Sequence, residues 1–206
     1  MARSFHFYFR PFADSLVWVA KTLSKMKALF FHPHLLRSPK RAWGLASLFA
    51  LYILVSALFA LPVARCLAGY HLLGALLVAL LALLLFYLVA YFIFLGIRNT
   101  LAYLGIAGLL LIAFLLMQAM VTTAEKIHLL EYSLLALFFY KACRFHFQGV
   151  LLFGIPWLLT TGVSWVDELW QGILPERVYD IQDVLFNTLG GMLGLGVAWI
   201  RRRYAP

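Results

Sequence analysis

The stretch IHLLEYSLLALFFY, residues 127–140, decides how many times this chain crosses a membrane. It is apolar except for His128 and Glu131. Read as a helix from about Glu125 to Ala142, it reaches the ~20 residues that span a hydrocarbon core. The other spans are uncharged and plain: Trp43–Pro62, His71–Ile97, Asn99–Ala124, Phe147–Val166 and Val184–Ile200. A hydrophobic fraction of 65% and a mean hydropathy of +0.93 lie well outside the soluble range. The expected fold is therefore all-α, a polytopic transmembrane bundle of about six spans. Six such helices use most of the 206 residues, which leaves no room for a separate soluble catalytic domain.

Outside the spans, residues 1–42 mix aromatics with eight basic residues and one acid, and Pro33 and Pro39 interrupt any helix leading into the first span. Leu16, Val19, Ala20, Leu23 and Phe30 recur at helical spacing with Lys21 and Lys25 on another face. That pattern suits a basic amphipathic arm lying on an anionic leaflet, and equally a solvated basic tail. No short apolar segment with a small-residue cleavage site follows the first charges, so a cleaved signal peptide is not expected. The expected organisation is an arm over 1–42, two spans over 43–100, a second membrane domain over 101–200 and a basic tail over 201–206.

Threading six spans with the N-terminus inside places all but three of the seventeen lysines and arginines on the cytoplasmic side, the exceptions being Arg65, Lys126 and Arg177. The positive-inside bias thus expects both termini in the cytoplasm. All eight acids except Asp14 then gather at the outer helix ends. The net charge of +9 reflects this insertion pattern, so nucleic acid is not an expected partner. Cys66 and Cys143 fall on opposite sides, too far apart for a disulfide.

The outer ends carry the candidate site. In the fourth span Glu125, His128 and Tyr132 follow i, i+3, i+7 and share one stripe. Glu131 stands roughly 7.5 Å deeper than Lys126 at 1.5 Å per residue. An ionisable group at that depth calls for a partner: His128, Arg177 or, at the headgroups, Lys126. At the end of the fifth span Asp167 and Glu168, one or both, can share a face with Gln171. Gly172 and Pro175 then break the helix, and the loop brings Arg177 back. Asp180 suits the N-cap of the last span and Asp183 its third position. Asn187 lies one turn deeper, and Gly190, Gly191 and Gly194 continue the stripe as a surface for close helix packing.

The order Glu125-Lys126, His128, Tyr132, then Glu168 and Gln171, Pro175 and Arg177, and finally Asp180, Asp183, Asn187 and Gly190 resembles the VanZ-like family of bacterial membrane proteins. The pattern covers roughly residues 101–200, with the arm and first two spans outside it. Glu125 stands where the family commonly has aspartate, which keeps the charge and lengthens the reach. The resemblance implies a bacterial cytoplasmic-membrane protein of a family named for lowered sensitivity to teicoplanin. It names no reaction.

Two readings of the cluster follow. In the first it is a cup that binds membrane lipids, a lipid-linked cell-wall precursor or a lipoglycopeptide. Glu125, Lys126, Glu131, Tyr132, Gln171, Arg177, Asp180 and Asn187 would make the contacts, with Trp165 and Trp170 at headgroup level. In the second it is an enzyme acting on a lipid head group, with His128 as general acid or base, Glu168 orienting its ring and Asp183 positioning the reacting group. A flippase is disfavoured, because the polar residues sit at one face and not at the midplane. No cofactor is expected. Asp183 and Asn187 could offer oxygen to a divalent cation, but one histidine with scattered acids is a poor metal signature.

Overall fold

The computed structural model describes residues 38–69, 72–174 and 177–205. Residues 1–37 of the expected arm and Pro175 lie outside the described residues, while Pro39 opens the first helix and does not interrupt it. From Ala42 onward the described helices belong to one compact unit. The described residues form six helices: α1 Pro39–Gly69, α2 Leu72–Phe94, α3 Thr100–Ala119, α4 Thr123–Cys143, α5 Leu151–Gln171 and α6 Ile181–Tyr204. No strand occurs among them. The fold is an all-helical membrane bundle.

Four of these helices, α1, α2, α3 and α6, are long and apolar enough to cross a membrane. The other two, α4 and α5, carry Glu125, Glu131, Asp167, Glu168 and Gln171 of the motif. The helix ends are fixed by short side chains at the turns. Asn99 caps α3 by accepting from the Leu101 amide at 2.8 Å. Thr122 and Glu125 form a reciprocal capping box at the start of α4. Asp180 caps α6 through the Gln182 amide at 2.8 Å. Each cap satisfies amides that the first helical turn leaves open, which matters most where no water can serve. Gly96 and Gly149, at φ of 70° and 59°, take the left-handed turns that precede α3 and α5.

The closest packing joins α4, α5 and α6. A Cβ on Gly190 would meet the Leu129 carbonyl oxygen at 2.6 Å, and one on Gly194 would collide with the Ser133 carbonyl. On Gly191 it would touch the Thr160 methyl at 3.0 Å. The glycine stripe of α6 is thus the surface on which α4 and α5 close. Ser133 strengthens the seam, its Oγ lying 2.7 Å from both the Leu129 and the Gly190 carbonyl oxygens. α1 packs on the outside of this trio, with Ala46 and Ile53 against Tyr132, Leu135 and Phe139. Cys143 is buried in the α4–α5–α6 core with a free thiol.

Candidate functional site

The start of α4, the end of α5 and the start of α6 meet at one end of the bundle, and most of the polar side chains converge within two turns of it. Tyr132, Ser164, Asp167, Glu168, Gln171 and Asn187 are all buried there. Six polar side chains held out of water need partners, since each unsatisfied group costs about 1–3 kcal/mol.

The partners come from different helices. The Tyr132 hydroxyl donates to Asp167 Oδ2 at 3.0 Å, joining α4 to α5. Glu168 accepts the Asp180 backbone amide at 3.2 Å and so ties the end of α5 to the cap of α6. Arg177, partly buried, donates from one terminal nitrogen to Gln171 Oε1 at 3.2 Å. His128 Nδ1 stands 3.0 Å from Glu131 Oε2, both side chains being 13% exposed. That approach is close in distance but lacks the alignment of a hydrogen bond, so it acts as charge attraction when the imidazole is protonated. Glu131 Oε1 also accepts from the Tyr52 hydroxyl of α1 at 3.2 Å. The His128 ring lies in the field of Asp167 and Asp183 as well as Glu131.

Several placements differ from the sequence-level expectation. His128 does meet Glu131, one helical turn along on the same helix, as expected for that acid; the difference lies in Glu168, expected to orient the imidazole. Glu168 is instead engaged with the α6 cap, so the expected His128–Glu168 arrangement is replaced by an i, i+3 pair. Glu125 turns both oxygens onto its own cap, accepting the Val121 and Thr122 amides at 3.0 and 3.1 Å. Asp180 is exposed and occupied by capping, and Lys126 and Asp183 are half-buried. Trp165 and Trp170 are partly exposed on the flank of the cluster.

Two contributors went unnoticed in the sequence. Tyr52 belongs to the first span, outside the recognised motif, where a tyrosine in an apolar run gives no signal of its polar contact. Ser164, at i−3 from Asp167, lies beside the Tyr132 hydroxyl. It could have been found as the next residue up the polar face of α5.

Not every buried polar atom is served. Asp167 Oδ1, Asn187 Nδ2, Ser164 Oγ, Thr161 Oγ1 and Arg177 Nε have no hydrogen-bond partner. The cluster thus holds both acceptors and donors, one guanidinium nitrogen among them, that no protein group engages. Among the described residues no set of three or more His, Cys, Asp or Glu side chains gathers as metal ligands.

No curated protein and no solved structure matches the chain. The family model described as VanZ/LLP1 does match, over residues 4–202. This reaches far beyond the 101–200 stretch that carries the motif and takes in α1, the helix that supplies Tyr52. With essentially the whole chain covered, the protein belongs to the VanZ/LLP1 family.

Proposed function

We propose that the polar end of the bundle binds the head group of an amphiphile at the external face of the bacterial cytoplasmic membrane, with both termini on the cytoplasmic side. The observation that carries this reading is the mixture of partnered and unpartnered polar atoms. Tyr132, Glu168, Gln171 and Glu131 are held in place by named contacts, while Asp167 Oδ1, Asn187 Nδ2 and Arg177 Nε remain open. Such a site is preorganised, so a ligand loses little to ordering it. Arg177 suits a phosphate or carboxylate, which a guanidinium meets with paired donors. The acids and the Asn187 amide suit hydroxyl or amine groups. A lipid-linked cell-wall precursor and a lipid-bearing glycopeptide such as teicoplanin both combine these groups with a hydrocarbon anchor. Lowered sensitivity to such an antibiotic would follow from either capture.

A catalytic alternative rests on one observation, the His128–Glu131 pair. An imidazole next to a carboxylate is an arrangement that can move a proton. One experiment separates the two. Envelope lipids and lipid-linked precursors are profiled by mass spectrometry in cells expressing wild type, His128→Ala or Arg177→Ala at equal membrane levels, and the purified proteins are analysed for retained amphiphiles. The binding reading expects unchanged lipid profiles, with a defined amphiphile retained by wild type and lost from Arg177→Ala. A species that changes with wild type and not with His128→Ala makes the protein an enzyme. Loss of no amphiphile in Arg177→Ala overturns the head-group reading.

A further inference from the structure

A second feature lies deeper in the bundle and does not depend on the polar end. Between α2, α3, α4 and α6 is a half-open apolar cavity of about 190 Å³. Its wall follows α3 from Ile106 to Met117 and α4 from Leu129 to Leu137, which at 1.5 Å per residue makes it roughly 12 to 17 Å long, parallel to the helices. The lining is hydrocarbon apart from Gly194, the Met117 thioether and Ser133. Ser133 offers nothing to a guest, because its Oγ already sits 2.7 Å from two carbonyl oxygens. Water needs two to four polar partners to occupy such a space, and apolar cavities of about 150 Å³ are known to stay dry while accepting hydrocarbon.

What fills it is set by the surroundings. Every wall is a helix of a membrane bundle, and two of them, α2 and α3, turn further apolar side chains outward: Leu83, Phe86, Leu111 and Leu115 are all exposed. Only 6% of the apolar window of α2 is buried within the protein, so α2 leaves the cavity wall without a close protein contact behind it. In a bilayer the medium that meets such surfaces is the acyl chain itself. An empty slot would forfeit the dispersion contacts of its whole lining.

We infer that this cavity is a lipid site: one acyl chain of a membrane phospholipid lies along α3, between α2, α4 and α6, and completes the docking of α2. The chain runs along the helices at a depth where the bilayer contains only hydrocarbon. It serves as a packing element that the protein draws from its solvent.

The full-length protein in vesicles of phosphatidylethanolamine and phosphatidylglycerol, doped with a phospholipid bearing a photoreactive diazirine on its acyl chain, provides the test. After photolysis, adducts are mapped by peptide mass spectrometry. Outward positions such as Leu83 and Phe86 report ordinary contact with the bilayer. Adducts at Ile106 and Met117, each 7% exposed, require a chain inside. We expect both classes in wild type, and a several-fold loss at Ile106 and Met117 alone in Ala113→Phe, which fills the slot. Should Ala113→Phe not fold, Leu193→Phe fills it from the α6 side with the same expectation. Adducts confined to the outward positions overturn the inference, as does undiminished labelling of Ile106 in a filled variant. A dimer in detergent that Ala113→Phe abolishes would assign the cavity to a second copy of the chain and overturn it equally.

Discussion

The helices α2 and α6 have opposite relations between apolarity and burial. α2 has the higher mean hydropathy, 2.9 against 1.4 over their membrane spans, yet 6% of its apolar window is buried against 50% for α6. In water the order would be reversed, because apolar surface would seek the interior. Lipid removes that drive, since a leucine is as well solvated by acyl chains as by another helix. What brings α6 inward is three glycines that admit the backbones of α4 and α5, and polar groups that find partners only there. Burial in this protein tracks small size and hydrogen bonding, and hydropathy predicts exposure.

The contrast can be broken most severely at the glycine seam. Gly194→Val sets a branched side chain against the Ser133 backbone, and with backbone as the obstacle the cost is expected at the upper end of the range for overpacking, about 3 kcal/mol. Fluorescence-detected size exclusion after heating should show loss of the monodisperse species, and a melting temperature equal to wild type would refute close packing at this position. Tyr132→Phe keeps the buried ring but leaves the Asp167 carboxylate without its donor, for an expected loss of about 1–3 kcal/mol. The double variant Tyr132→Phe with Asp167→Asn should recover part of that loss in the same assay; simple additivity would mean that the two groups are not coupled.

A smaller effect is expected at the start of α4. Glu125→Ala removes half of the capping box, worth about 0.5–1 kcal/mol, and should loosen the first turn, seen as faster hydrogen exchange over residues 121–128. Exchange unchanged there would argue that the surrounding helices hold the turn without the cap. The mildest prediction sharpens the comparison from the other side. Leu83→Ala, on the exposed face of α2, should shift stability by less than about 0.5 kcal/mol. A loss as large as that of a core leucine would show that α2 is covered by protein and not by lipid.

The helices themselves could be read from the chain because hydrophobic length is a local property. Even α4, with its embedded His128 and Glu131, shows its extent in sequence, and the capping residues Asp180 and Asn99 mark where helices must begin. The motif residues from Tyr132 to Asn187 are likewise visible as polar side chains out of place in apolar runs. Their pairing across helices is not. The His128–Glu131 pair could be expected from i, i+3 spacing on one helix, but whether Glu168 also reaches His128 depends on how α4 and α5 are rotated against each other, which no local pattern gives. Tyr52 was hidden for a different reason: a tyrosine in a membrane span usually marks the interface, and only the packing of α1 against α4 turns its hydroxyl toward an acid. Glu125 was visible as a charge, but both of its oxygens turn back onto the α4 cap.

The Tyr52–Glu131 contact also bears on how the protein is made. Chains enter the membrane from the N-terminus as they are synthesised, so α1 is in place before α4 leaves the ribosome. When the helix that carries a carboxylate and an imidazole is handed to the bilayer, the hydroxyl that will receive Glu131 is already waiting there. The order of the gene thus supplies an early span as chaperone to a later and more polar one.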